Sequence, residues 1–470
     1  MREARSGDYS ENERGDMKIS FHGADKGVTG SCHMIECGDK KILIDCGLYQ
    51  GGREIEEENA EPFGFDPAQI DYVLLTHAHL DHCGRIPLLV KRGFRGEIVA
   101  TAATRELSRL VMLDAAHLQE EEVHHRRNHA PAVPLYSLMD AFYALDFFGR
   151  TASYGKSLEL APNIRATFLD AGHILGSASI LLELEEKGKK RSVLFSGDIG
   201  NSGRPILRSP VTPESADFVV METTYGDRLH RPFEPSVEEF YGVVEDTFGR
   251  GGNVIIPTFA LERAQELLYF LREGVESGRF SRTTQVYLDS PMAISATEIF
   301  GKHPECYAPE TAEMFRKGRD PFHLQGLHFT RETADSIAIN RINGGAVIMA
   351  GAGMCTGGRI RHHLQNSLGK ENCSVVFVGY AANGTLARRI IDGAKEVHIY
   401  GREVPVRARI HTINGFSAHA DQAELLKWHE GIGGVRTTFL VHGEEACMSR
   451  FASLVKGKVV MPALNESFEL

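Results

Sequence analysis

Residues 72–82, Tyr-Val-Leu-Leu-Thr-His-Ala-His-Leu-Asp-His, constrain this chain more than any other stretch. Residues 72–75 are apolar and read as a β-strand. Directly after them, three imidazoles and a carboxylate fall within six residues: His77, His79, Asp81 and His82. Imidazole nitrogen and carboxylate oxygen suit zinc, and a single tetrahedral ion cannot use every donor on offer. A strand that delivers such a cluster onto a loop and a helix start can feed two adjacent metal ions. The bland alternative is a histidine-rich surface loop, and it fails on what lies downstream.

Four further elements repeat one design, a polar donor at the end of an apolar strand. Asp45 closes the run 41–44, His173 follows 168–172, Asp198 follows 193–197 and His442 follows 438–441. Donors at the ends of neighbouring strands can converge on one point. Leaving Asp45 aside, seven candidate ligands result: His77, His79, Asp81, His82, His173, Asp198 and His442. Seven is too many for one zinc but suits two zincs that share a carboxylate.

The rest of the chain reads as an α/β protein of more than one domain. Residues 1–16 are polar and charged, without the apolar core of a signal peptide, and are expected to be a flexible leader. Residues 17–224 alternate short strands and helices, with several hairpin-like pairs. From 225 to 403 apolar strands (251–258, 285–289, 345–350, 374–379) alternate with helical stretches, the pattern of a parallel α/β unit inserted into the first domain. Residues 404–470 return to histidine-bearing strands. Eight cysteines without a C-x-x-C pair predict reduced core thiols and a cytoplasmic protein. No apolar run is long enough for a membrane helix. The net charge of −11 offers no global basic field, although a local groove and bound dications can reverse the sign where it matters.

His77-Ala-His79-Leu-Asp81-His82, Leu169-Asp170, Gly172-His173 and Gly197-Asp198 together resemble the metallo-β-lactamase superfamily. Further stretches are similar to its β-CASP nucleases: Met221-Glu222-Thr-Thr-Tyr225-Gly, Gly415-Phe-Ser417-Ala-His419-Ala-Asp421 and Val441-His442-Gly443-Glu444. So are Ile256-Pro-Thr-Phe-Ala260, Leu288-Asp-Ser-Pro-Met292 and Gly353-Met-Cys-Thr-Gly-Gly358. The relatives it looks most like are prokaryotic ribonucleases similar to the endonuclease subunit of the cleavage and polyadenylation specificity factor. The resemblance implies a metallo-β-lactamase αββα sandwich carrying an inserted parallel α/β β-CASP domain. It also implies two Zn²⁺ per chain. One zinc would take His77, His79 and His173, the other Asp81, His82 and His442, with Asp198 bridging and Asp45 orienting the histidines by hydrogen bonds.

The same resemblance implies hydrolysis of single-stranded RNA by a hydroxide held between the metals, giving 5′-phosphate and 3′-hydroxyl ends. Histidine at position 442 points to RNA, because the DNA-repair branch of the family usually carries valine there. His419 would be the general acid and Glu222 its hydrogen-bond partner, raising its pKa. Arg263, Gly353, Arg359 and Ser417 are weaker candidates for RNA contacts. Relatives often carry serine where this chain has Ala352. A homodimer is compatible with the resemblance, though the short tail 456–470 does not establish one. Competing readings are a hydrolase of small esters or thioesters, a non-catalytic RNA-binding protein and a DNA nuclease. The balance of internal and 5′-end cutting and the natural RNA are not written in the sequence.

Overall fold

The computed structural model describes residues 17–51, 57–125, 133–379 and 381–470, so the expected leader lies outside the described residues. Among these, two seven-stranded sheets and one six-stranded sheet organise the chain. The first sheet runs Ser467–Glu469, Lys18–Phe21, His33–Cys37, Lys40–Ile44, Tyr72–Leu74, Glu97–Thr101 and Phe148–Ala152. The second runs Lys458–Val460, Thr437–Val441, Phe218–Glu222, Lys189–Phe195, Ala178–Glu186, Ile164–Asp170 and Ser157–Ala161.

Side chains alternate across a strand, so one strand can serve two cores. Ile42, Ile44 and Val99 of the first sheet meet Phe195, Val220, Phe439 and Val441 of the second in one buried cluster. The intervening Leu43 and Val73 point the other way, into a cluster that includes Leu89, Leu107 and Val111 of the helices Ile86–Lys91 and Ala102–His125. On the far side Leu194, Val219, Met221 and Leu440 pack with Leu425, Trp428, Met448 and Phe451 of the helices Gln422–Glu430 and Glu445–Ala452. The layers are therefore helix, sheet, sheet, helix. Near-continuous apolar strands such as 437–441 follow from burial on both faces.

The third sheet is parallel throughout, in the order Leu327–Phe329, Gln285–Leu288, Ala346–Ala350, Val254–Pro257, Ser374–Val378 and Arg409–Ile413. Its central strands, Ala346–Ala350, Val254–Pro257 and Ser374–Val378, bury both faces, as parallel sheets with helical crossovers do. Sheet membership carries this unit past residue 403. Arg409–Ile413 pairs with Ser374–Val378, although the return to the first domain was expected from residue 404. The strand was hidden because Arg409, His411 and Thr412 break its apolar run. The C-terminal tail closes both sheets of the sandwich. Lys458–Val460 adds in parallel to 437–439, and Ser467–Glu469 adds antiparallel to 18–20. Among the described residues no helix is long and apolar enough to cross a membrane.

Candidate metal centre

The donors stand on turns that leave strand ends. Asp45 and His442 both adopt left-handed backbone, with φ of 63° and 50°, directly after Lys40–Ile44 and Thr437–Val441. Such geometry is uncommon outside glycine and here turns the side chain off the strand line. Two glycines allow the ligand-bearing turns to close on one another. A Cβ on Gly47 would lie 1.6 Å from the Asp81 carbonyl oxygen, and one on Gly200 would lie 1.7 Å from that of Gly172. The backbone N–H of Cys46 also donates to His82 O at 2.8 Å, and that of Ser31 donates to Asp81 O at 2.9 Å.

Beneath the cluster, Asp45 is buried and fully engaged. Its Oδ1 accepts from the Thr76 backbone N–H at 2.8 Å, while Oδ2 accepts from Thr76 Oγ1 and His82 Nδ1, each at 2.7 Å. Having given its proton to Asp45, the Thr76 hydroxyl can only accept from His77 Nδ1, 3.1 Å away. The Thr224 hydroxyl donates to His442 O at 3.3 Å and accepts a hydrogen bond from His442 Nδ1–H at 3.1 Å. These bonds assign the tautomers from the network. His77, His82 and His442 each keep a proton on Nδ1 and turn Nε2 inward as the metal-binding atom.

Two donor sets converge on opposite oxygens of Asp198. Asp198 Oδ2 lies 3.3 Å from His77 Nε2 and 3.4 Å from His173 Nε2. His79 Nδ1 stands 3.1 Å from each of those nitrogens. Asp198 Oδ1 lies 3.3 Å from His82 Nε2, and His442 Nε2 lies 3.2 Å from His82 Nε2 and 3.4 Å from Asp81 Oδ2. A tetrahedral metal with bonds of about 2.0–2.1 Å to nitrogen spaces its donors roughly 3.3–3.4 Å apart. The observed spacings suit that figure. Asp198 Oδ1 is moreover buried with no hydrogen-bond donor, an arrangement that is costly in a protein interior unless a cation completes it. The residues present therefore fit two dications: His77, His79 and His173 on one side, Asp81, His82 and His442 on the other, with Asp198 between them.

Electrostatics divide these sets. Burial, and then the positive neighbour His82, push His77 down to about 3. Burial likewise pushes His79 down to about 4 and His173 well below the ordinary imidazole value. Burial also disfavours charge on His82, yet Asp198 and Asp45 outweigh it and hold His82 well above that value. His442 is raised in the same way, against burial, by Asp198 and Asp81. Burial would raise Asp198, but the surrounding histidines, His442 first, hold its carboxyl well below the usual range.

His419 stands at the rim on the 415–421 loop. Its Nδ1 lies 3.2 Å and 3.3 Å from the two oxygens of Glu222, a wholly buried carboxylate that also accepts from the Ile199 N–H at 2.6 Å. Burial alone would lower His419, but Glu222 and then Asp198 raise it to about 9. The loop itself is held from behind. Asn201 Nδ2 donates to Ser417 O and His419 O, both at 2.9 Å, Arg204 Nη2 donates to Gly415 O at 2.9 Å, and His230 Nε2 donates to His419 O at 3.0 Å. Asp421 then caps the helix Gln422–Glu430 through the N–H groups of Ala423 and Glu424.

The expected RNA contacts fare unevenly. Arg263 is buried and paired with Glu266, with its guanidinium 5.9 Å from the Phe416 ring centroid. Arg359 donates to Asp289 Oδ1, Thr330 O and Arg331 O at 2.8, 2.8 and 2.6 Å. Both arginines are thus committed inside the protein, Arg263 to Glu266 one turn along its own helix and Arg359 to Asp289 from another element. Gly353 lies in the loop after Ala346–Ala350, where a Cβ would meet the Phe259 ring at 2.8 Å. Ala352 in the same loop is exposed. Ser417 donates to His419 O at 3.3 Å and borders a small cavity beside His173. Thr76, Thr224, Asn201 and Arg204 were not picked out by sequence reasoning. The two threonines lie inside quoted motifs, whereas nothing in the sequence marks Asn201 or Arg204, which act from more than two hundred residues away.

Comparison with known proteins gives the family of the chain. Residues 25–258 match the metallo-beta-lactamase superfamily, 264–390 the Beta-Casp domain and 403–462 a Zn-dependent metallo-hydrolase RNA specificity domain. The chain is 42% identical over 429 residues to Ribonuclease TTHA0252 of Thermus thermophilus, covering 91% of this chain and 94% of that protein. It is 32% identical over 455 residues to Transcription termination factor FttA of Methanocaldococcus jannaschii, covering 94% and 70%. An RNase J-like protein of the same organism is 29% identical over 451 residues, covering 94% and 96%. A crystal structure of a protein of unknown function from Enterococcus faecalis V583 matches with a TM-score of 0.58 at 11% identity, over 97% of this chain and all of that one, a likeness of fold alone.

Proposed function

Because the chain belongs to the β-CASP group of the metallo-β-lactamase superfamily, we propose that its paired donor sets hold two zinc ions and that the centre cleaves single-stranded RNA. The chain is a zinc-dependent RNA hydrolase. The observation that carries the finer reading is Asp198, whose two oxygens each face a separate set of three donors. Two dications, when bound, lower the pKa of a water toward neutrality and offset charge on the phosphate.

The protein's own groups do the rest. Asp45 and the threonine hydroxyls hold the ligand imidazoles in the required tautomers. His419 keeps its proton at neutral pH and, with Nδ1 bound to Glu222, presents Nε2–H to the departing 3′-oxygen. Proton transfer there completes hydrolysis to a 3′-hydroxyl and a 5′-phosphate. Gly353 and Ser417 border the proposed path of the strand, and Arg263 and Arg359 serve it by bracing loops. The reading assigns 17–224 and 404–470 to the metal-binding domain and 225–403 to the insert, with 409–413 shared through its sheet. Cytoplasmic placement rests on eight buried, unpaired cysteines. The homodimer rests on family resemblance, and a single-chain mass by light scattering would remove it.

The test is a denaturing gel of 5′-labelled single-stranded RNA beside the matched DNA, with and without chelator. Chelator-sensitive cutting of RNA is expected, and the ladder separates internal from end-directed cleavage. Intact RNA with zinc bound would turn the reading toward a small-molecule hydrolase, and cutting of DNA alone would turn it toward a DNA nuclease.

A further inference from the structure

Beside the metal centre, on the side of His419, lies a cavity of about 20 Å³. Its walls include His173, Asn201, Arg204, Glu262, Ser417 and Ala418. Ser417 and Ala418 immediately precede His419 in the chain. Glu262 reaches it from the inserted domain, at the start of the helix Arg263–Glu276. The cavity therefore sits at the seam of the two units, where the leaving part of a substrate would rest.

Two polar groups in this cavity lack hydrogen-bond partners. Glu262 is more than nine-tenths buried, and its Oε2 has none. Arg204 is clamped by Nη2, which donates to Gly415 O and Ser417 O, and by the Phe233 ring 3.8 Å beneath its guanidinium carbon. Its Nη1 is buried and has no hydrogen-bond partner, the nearest carboxylate oxygen, Glu266 Oε1, lying 3.6 Å away. That separation is too long for a hydrogen bond. Glu266 is itself paired with Arg263. The Glu262 carboxyl, which burial and then Glu266 push up to about 8, and the Arg204 N–H without a partner thus belong to residues that line one space with room for a group the size of a water. A nucleobase is too large for it, and a phosphate would face the carboxylates of Glu262 and Glu266. A hydroxyl, which both donates and accepts, matches size and chemistry together.

We propose that this cavity binds the ribose 2′-hydroxyl of the nucleotide whose 3′-oxygen leaves, with Arg204 Nη1 donating to it and Glu262 Oε2 accepting from it. The proposal rests on the ribonuclease reading and on His419 as proton donor to that 3′-oxygen, which fixes the nucleotide concerned. It makes the pair a device for telling RNA from DNA, since the 2′-hydroxyl is the group that differs. Occupancy by the sugar would also couple the inserted domain to the general-acid loop, because Arg204 binds both the hydroxyl and the Ser417 carbonyl.

The zinc-loaded full chain is tested on an RNA oligonucleotide with one mapped cut, using single 2′-deoxy substitutions on either side of it. Removing the hydroxyl on the leaving nucleotide is expected to slow single-turnover cleavage by about 10–100-fold, because buried groups made to bond it are left unpaired. The same change one nucleotide downstream should matter less than about threefold, since no group here is aimed at it. In Glu262→Ala the leaving-side penalty should shrink to within about threefold, and Glu262→Met, which keeps the bulk and removes the carboxyl, serves if the alanine variant does not fold. Equal cutting of the leaving-side deoxy substrate by the wild type overturns the proposal without any variant. So does a penalty that moves to the downstream nucleotide, or one that persists in the Glu262 variants. If the all-ribose strand itself is not cut, the ribonuclease reading has failed and this inference goes with it.

Discussion

The two halves of the metal centre are built from the same residue types but are prepared differently. His77, His79 and His173 surround one another, and burial holds all three below the ordinary imidazole value. His82 and His442 are equally buried, yet Asp45, Asp81 and Asp198 hold them above it. Without metal, burial favours the neutral form of the first set, whereas the carboxylates around the second favour the protonated form, against which a dication must compete. A raised pKa in the folded state means stabilisation that is complete below the ordinary value near 6.5 and lost as pH rises through the raised value. Metal affinity of the second set should therefore climb with pH, while that of the first should change little. The lesson is that a ligand's neighbours, not its identity, decide how it competes for a proton.

The largest effect should come from the residue that both halves share. Asp198→Ala removes one oxygen from each set and should lower kcat/KM by about 10³-fold or more, with zinc falling below two per chain. Mass spectrometry that still finds two tightly held zincs would end the bridging role. His419→Ala should keep both zincs and lower kcat by about 10²–10⁴-fold. His419, Glu222 and Asp198 also form a possible donor set, so a loss of zinc in this variant would make His419 a ligand.

Asp45→Asn acts on the difference itself. It should weaken the second set by about 10–100-fold in chelator competition and leave the first nearly unchanged. The wild type, dialysed from pH 8 to pH 6, should release its second equivalent first. Equal weakening of both sets, or loss of both equivalents together, would erase the comparison. The smallest effect concerns the proton on His419, held up to about 9 by Glu222 and Asp198. The acid form is present below that value and lost as pH rises through it. Glu222→Gln should bring the alkaline limb of kcat down by about 1–2 pH units, and dications held at Asp198 would offset the part that its charge contributes. An unmoved limb in the pH–rate profile would separate Glu222 from the proton.

Much of this was legible in residue order. The strands 218–222 and 437–441 were readable because burial on both faces leaves the apolar runs Phe218–Met221 and Phe439–Val441, and a donor at the end of each run is conspicuous. The strand Arg409–Ile413 was not, because its place at the sheet edge tolerates polar residues. Arg263 and Arg359 show the limit for single side chains. An arginine at a helix start reads the same whether it meets a phosphate or a buried carboxylate, and Glu266 and Asp289 decide the matter in the fold.

What the sequence alone determined is the chemistry: which donors are present, in what order, and that they exceed the needs of one ion. Metal coordination admits few residue types, so their spacing survives as text. Only the tertiary structure decided the tautomers set by Thr76 and Thr224, the division between imidazoles lowered by burial and imidazoles raised by carboxylates, and the cavity between Arg204 and Glu262. Those depend on distances between elements far apart in the chain, and electrostatic and hydrogen-bond energies turn on such distances rather than on residue order.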